Sequence, residues 1–382
     1  MAEPSDGSSR GRLRFIDTLR GLAALLVVWM HVAQCYVGLQ PEHAIRGRWV
    51  YEVAQNLDVG RIGVVVFFLI SGFVIPFSMQ PRAPAPVASF AIKRFFRIYP
   101  AYWLSVPAGA FATCWLWGQP FGAGEFLINL TLLEDLFGVR EAQGVYWTLL
   151  VELAFYVLCI VLLLTHSLRD RLRIGLLAAV LAGGHAVVIA LVWKGLLPLP
   201  PLQPLTFFAL HLSLMLCGTL YRLCWFEPGD GPGVRATQLC LALLVFYLLV
   251  FPICASLARG TLQNYPVSDA LGVAIFLLGT TVLRLQTRLT DWLGTISYSI
   301  YLFHFGVYYP LFWWLMQQPA GSAWRQLHLG VYLAVNVLLV VALASVVYRV
   351  VERPGIAFGH RLASRLSRDG RALRLRAAPL AD

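Results

Sequence analysis

The chain has 382 residues, 59% hydrophobic and 13% charged, with a mean hydropathy of +0.70, which is far more apolar than a soluble domain of this length and excludes a soluble enzyme. Its 30 basic residues against 19 acidic give a net charge of +11. For an apolar chain this points to cytoplasmic loops facing anionic lipid rather than to nucleic acid.

The first 14 residues, with Arg10, Arg12 and Arg14, read as a cytoplasmic tail. The first apolar block, about 15–37, has no small-x-small cleavage site and is therefore expected to stay as a helix. Apolar blocks of membrane-crossing length follow at about 59–79, 99–117, 145–165, 173–193, 203–224, 237–256, 268–284, 292–315 and 327–349, ten in all. With the N-terminus inside, 22 of the 30 Lys and Arg residues fall on the cytoplasmic side and seven on the other, with Arg20 within the first span. That bias predicts an all-α polytopic membrane protein of about ten transmembrane helices, both termini cytoplasmic, in a plasma membrane.

In the first span, Arg20 and His31 are eleven residues apart, roughly 16 Å along a helix. Ionisable groups in a span are costly and invite a functional reading. Arg20 either pairs with Asp17 one turn away or meets an anionic ligand from the cytoplasm, and His31 lies deeper, towards the other face. The second span contributes Ser71 and Gly72, which either let helices approach closely or leave room for a slender ligand. Between about 81 and 100, Lys93, Arg94 and Arg97 sit among apolar residues, as in an amphipathic helix at the cytoplasmic interface. The bland reading is a positive anchor; the functional one is that Arg94 and Arg97, one turn apart, hold a phosphorylated ligand.

Two external segments, about 38–58 and 118–144, carry Glu42, Glu52, Asp58, Glu125, Glu134, Asp135 and Glu141 with Trp49, Tyr51, Phe126 and Phe137 between them. They suit sugar binding as well as an ordinary wet rim. Glu152, about seven residues into its span, comes to a depth similar to that of His31, roughly 10 Å below the outer face. The two are expected to form a base with its orienting partner, or a base and an acid at opposite ends of one transfer, or else a structural pair. Tyr298, Ser299, Tyr301 and His304 form a polar set in the ninth span. The seven cysteines have no C-x-x-C pair, and no metal cluster is expected.

At these residues the chain resembles the membrane acyltransferase 3 family of integral-membrane O-acyltransferases. The matching pieces are Phe15-Ile-Asp-Thr-Leu-Arg-Gly-Leu-Ala-Ala with His31, Val64 to Ile75, Lys93-Arg-Phe-Phe-Arg-Ile-Tyr-Pro100, Tyr146-Trp-Thr-Leu-Leu-Val-Glu152, Ile296 to His304, and Val351-Glu-Arg-Pro354. The resemblance implies a tail over 1–14, a transmembrane acyltransferase domain over 15–350 and an Arg-rich cytoplasmic tail over 351–382, similar to the stand-alone form without an esterase-like extension. It implies Arg20 and His31 as the activity-linked pair, Arg94 and Arg97 as the basic motif, and Glu152 as the acidic residue.

The activity expected is transfer of an acyl group, acetyl above all, from acyl-coenzyme A to a hydroxyl of a saccharide or lipid-linked saccharide in the membrane, with no metal. Arg94, Arg97, Arg20 and Ser71 would bind the donor. His31 would take the hydroxyl proton, Glu152 would orient His31 or bind the acceptor, and Ser71 or Tyr301 would help the developing oxyanion. The rival is a transporter of a small anion or lipid-linked sugar, for which no inverted repeat is visible.

Overall fold

A computed structural model describes residues 13–39, 46–198, 202–227, 232–258 and 264–377. Arg10, Arg12, Glu42 and Arg259, and the last five residues of the tail, lie outside them. The described residues contain helices and no strand. In chain order the helices are α1 (Arg14–Leu39), α2 (Arg48–Leu57), α3 (Val59–Ser78), α4 (Pro86–Thr113), α5 (Ala123–Asn129), α6 (Trp147–Leu164), α7 (Arg171–Trp193), α8 (Gln203–Trp225), α9 (Pro232–Ala258), α10 (Asn264–Thr281), α11 (Arg288–Phe303), α12 (Phe305–Met316), α13 (Leu329–Val347) and α14 (Arg353–Ala377).

Several helix starts follow from their first residues. Asp170 caps α7 by accepting from the Arg173 N–H at 3.1 Å, Thr287 caps α11 in the same way from Thr290, and Pro86 opens α4 where no N–H is needed. Asp58 ends α2 and caps α3 in one left-handed residue (φ 42°), its side chain accepting from the Arg61 N–H at 3.1 Å.

Seven described helices are long and apolar enough to cross a membrane, the seventh running from Leu329 through α13 into α14, so the protein is a multi-pass membrane protein. Three blocks expected as spans stand apart from these seven for visible reasons. The 99–117 block is the second half of α4, whose first half is the basic segment; the two form one helix that runs through Pro100 and Pro107. This corrects the expectation of a separate interfacial helix. The block at 268–284 falls on α10, which ends at Thr281 and whose apolar stretch, Val267–Thr281, is short. The block at 292–315 is divided at His304 into α11 and α12.

The middle of the bundle is α3, most of whose side chains are buried, whereas α7 exposes most of its own. α1 and α8 lie against α3. At the α3–α8 crossing, a methyl group at Gly72 would overlap the Met215 carbonyl and one at Gly218 the Leu69 carbonyl. Thr219 Oγ1 donates to the Gly72 carbonyl at 2.9 Å across this contact. These backbones touch because neither helix has a side chain between them, as small residues permit in membranes.

α1 is fixed to α11 along its first turns. Arg14 Nε donates to Asp291 at 2.6 Å, Thr18 Oγ1 meets Thr290 Oγ1 at 2.9 Å, and Gly294 lies against the Asp17 backbone. A five-residue π-helical turn, Tyr348–Glu352, joins α13 to α14 and buries Glu352, which accepts from Ser299 Oγ of α11 at 2.8 Å. α14 then packs along α4, with Gly355 and Gly359 both facing Phe96.

Candidate active site

Six elements converge on a cavity of about 470 Å³, a size typical of small-molecule sites. α1 gives Arg20, α3 Ser71, α4 Lys93, Arg94 and Arg97, α6 Glu152, α11 Tyr298 and Tyr301, and α14 Ile356 and His360. Arg94 is anchored by donating to Ser78 Oγ at 2.7 Å, and its guanidinium lies 5.4 Å from the Phe90 ring centre and 5.2 Å from that of Tyr156. This leaves its remaining donors available. Arg20 is in Coulombic reach of Arg97 and of the Asp17, Glu352 and Glu152 carboxylates. Glu152 accepts from the Tyr156 hydroxyl at 2.6 Å. The result is a concave site with four basic groups, suited to an anion of several charges.

A second cavity, about 260 Å³, is lined by His31, Gln34, Gln55, Asp58, Arg61, Trp147 and others. Arg61 is held by a two-pronged ion pair to Asp269 of α10, at 2.7 and 3.0 Å. Planar polar groups beside an indole suit the hydroxyls and apolar faces of a sugar ring.

The two cavities share Val64 and Tyr301 as lining, and these residues form the partition between them. Tyr301 is fixed there: its hydroxyl meets Thr148 Oγ1 at 2.7 Å and donates to the Val145 carbonyl at 3.2 Å, while Phe67 packs edge-on against its ring. On the far side of His31 stand the rings of His304 and Phe305, 5.2 and 5.1 Å away, centre to centre.

Arg20, Ser71, Arg94, Arg97 and Glu152 thus come together in one cavity, and His31 stands in the other. The expected pairing of His31 with Glu152 is corrected. α6 gives Trp147 to the second cavity but Thr148, Leu149 and Glu152 to the first, so Glu152 lies one turn beyond the partition. Ser71 and Gly72 divide the two roles foreseen for them, Ser71 lining the cavity and Gly72 packing against α8. The Arg-rich tail, expected only as a cytoplasmic extension, supplies Ile356 and His360 to the first cavity. The spacing of Gly355 and Gly359 was the signal for that close docking on α4. Among the described residues no group of three or more His, Cys, Asp or Glu is arranged to hold a metal ion.

The 118–144 segment holds a separate acidic pair. Glu134 is 2% exposed and lies beside Tyr102, and Glu141 accepts from the Tyr146 N–H at 3.2 Å at the start of α6. One oxygen of each carboxylate is buried without a hydrogen-bond partner among the described residues. Burial raises Glu134 to about 7; burial, with Asp135 and Glu134 nearby, raises Glu141 to about 8.

A carboxyl raised above its unfolded value stabilises the fold fully below that value, and the contribution is lost as pH climbs through the folded one. The thermal midpoint in detergent is therefore expected to fall by several degrees between pH 5 and pH 8.5. Changing both Glu134 and Glu141 to Gln is expected to flatten that slope, and an unchanged slope would show that other groups set it.

The family description "acyltransferase domain" matches residues 13–349. Nodulation protein 10 of Rhizobium leguminosarum bv. viciae is 25% identical over 95% of this chain and 98% of its own. BcsY of Komagataeibacter xylinus, provisionally named a membrane-bound transacylase, is 26% identical over 97% of this chain and 89% of its own. YrhL of Bacillus subtilis, provisionally named a peptidoglycan O-acetyltransferase, is 23% identical over 92% of this chain and 56% of its own. No solved structure matches the chain.

Proposed function

The chain belongs to this family of acyltransferases and is a membrane-embedded O-acyltransferase, and on that premise we propose that it transfers an acyl group, acetyl above all, from acyl-coenzyme A to a hydroxyl of a saccharide or lipid-linked saccharide. The observation that carries this reading is the pair of cavities, one arginine-lined and one histidine-lined, back to back across Val64 and Tyr301. The saccharide rests on the printed name of YrhL and on the polar lining around His31.

In the ten-span arrangement with both termini cytoplasmic, the arginine cavity faces the cytoplasm of a bacterial cell and opens on its donor pool. The nucleotide phosphates bind outside the narrow part, on Lys93, Arg94, Arg97 and Arg20. The slender pantetheine arm runs past Ser71, and its thioester stops at the Tyr301 partition. The acceptor enters from the other side among Gln34, Gln55, Asp58 and Trp147.

His31 takes the hydroxyl proton as the oxygen attacks the thioester carbon. The carbon–oxygen bond forms, the carbon–sulfur bond breaks, and the proton passes from His31 to the departing thiolate. Tyr301, whose one O–H points to the Val145 carbonyl in the resting structure, turns it to the oxyanion that develops. Glu152 stays on the donor side and balances part of the arginine charge.

The test is release of the coenzyme A thiol from acetyl-CoA by purified protein in nanodiscs, across a panel of free and undecaprenyl-linked saccharides. Release that requires one acceptor class is the expected result. Changing Arg94 and Arg97 together to Gln is expected to raise the donor KM at least tenfold, since each charge-assisted bond contributes about 1.5–3 kcal/mol, and to leave the acceptor KM within about twofold. An unchanged donor KM removes their role, and passage of a solute with no thiol released by any donor would point to transport.

A further inference from the structure

One buried group has no part in the chemistry above. His304 stands at the break between α11 and α12, 1% exposed, with Nδ1 2.6 Å from the Tyr301 carbonyl. A carbonyl oxygen only accepts, so Nδ1 carries the proton, and in the neutral ring Nε2 is a bare acceptor. Among the described residues nothing donates to that nitrogen. A buried acceptor without a donor is uncommon in native proteins and asks for a reason.

The His31 ring supplies one. It stands 5.2 Å from the His304 ring, centre to centre, tilted by 41°. Imidazoles joined by an N–H···N bond of ordinary length, about 2.9 Å, have ring centres about 5 Å apart. The spacing is therefore that of a bonded pair, and turning the His31 ring about its Cβ–Cγ bond is the motion that would bring an N–H to Nε2. The helices that carry the two rings are locked together by Arg14–Asp291 and Thr18–Thr290, so the spacing is built into the fold.

We propose that His304 is the positioning residue of His31: its Nε2 accepts the N–H of the His31 ring and so fixes which His31 nitrogen keeps its lone pair towards the second cavity. The assignment rests on His31 being the base. The bound neutral His304 also accepts from His31 while that ring holds the substrate proton, and it gives up no proton of its own. Of the charged neighbours in the cavity, Asp58 caps α3 through Oδ1 and Arg61 is tied to Asp269; the Gln34 and Gln55 amides line the same cavity. On the partition side, the hydroxyl of Tyr301 is occupied by Thr148 and Val145.

The test uses the full chain in nanodiscs with ¹⁵N-labelled histidine, the His31 signal being assigned by its loss in His31→Ala. Wild-type protein is expected to show His31 as one tautomer at neutral pH, with two well-separated ring-nitrogen shifts; an averaged pair overturns the proposal without any change at position 304. His304→Phe removes the acceptor and is expected to average the two shifts and to lower kcat for coenzyme A release by about tenfold or more, with the donor KM unchanged. His304→Gln, whose amide oxygen accepts, is expected to restore the single tautomer and most of kcat.

Folded His304→Phe protein with wild-type tautomer and kcat overturns the proposal. So does His304→Gln falling as far as His304→Phe. Full thiol release by His31→Ala instead overturns the reading on which this rests, and shows it without touching His304.

Discussion

His31→Ala protein is expected to insert and purify normally, to bind acyl-coenzyme A with the affinity of the native enzyme, and to release coenzyme A roughly 10²–10⁴-fold more slowly, the range contributed by a positioned general base. The separation of these effects comes from the architecture. His31 stands in the second cavity, away from Arg20, Arg94 and Arg97, so its removal leaves the anion-binding surface intact. Its ring packs against His304 and Phe305 and opens on a cavity, and truncation extends that cavity instead of emptying a sealed core. The decisive comparison is kcat against thermal midpoint. A midpoint that falls together with kcat would return His31 to a packing role.

The second large effect is on assembly. Gly72→Ala puts a methyl group into the Met215 carbonyl of α8, a backbone atom with no rotamer to yield. Overpacking of this kind costs about 1–3 kcal/mol or more even where side chains can adjust. Here the response must be separation of α3 from α8, at the centre of the bundle, with loss of the Thr219 bond to the Gly72 carbonyl. Little folded protein is expected from Gly72→Ala. Gly183→Ala in α7, where nothing lies within 4 Å of the added methyl, is expected to fold as well as the parent or better, by up to about 1 kcal/mol. Equal yields of the two would show that α3 and α8 have room to part.

The contrast between those two glycines marks what a sequence can tell. Seven of the span positions, the buried charges and the gathering of Arg20, Arg94, Arg97 and Ser71 were legible, since hydropathy and cost of burial fix them with little help from neighbours. Arg20 and His31 also share a face of α1, eleven residues being close to three whole turns.

The pairing of His31 with Glu152 failed for a geometric reason. Span edges read from composition are uncertain by about a turn, and the partition is only that thick, falling between Trp147 and Thr148 of α6. His304 was visible as a buried histidine, but its lone acceptor nitrogen depends on where the Tyr301 carbonyl points, which no periodicity encodes. The docking of α14 was hidden by its arginines, whose charge suggested an interface with lipid while its glycines fitted it to α4.

The Tyr301 partition also bears on the energy economy of the host cell. A coupled membrane must not conduct, yet this enzyme carries a polar hollow on either side of one tyrosine ring and one valine. Held by Thr148 and Val145, that ring lines both hollows, and in the proposed reaction the group that passes it in each cycle is an uncharged acyl carbon. In the proposed cycle the donor phosphates stay on the arginine side, and the single proton that passes is the one handed from the acceptor hydroxyl through His31 to the departing thiolate.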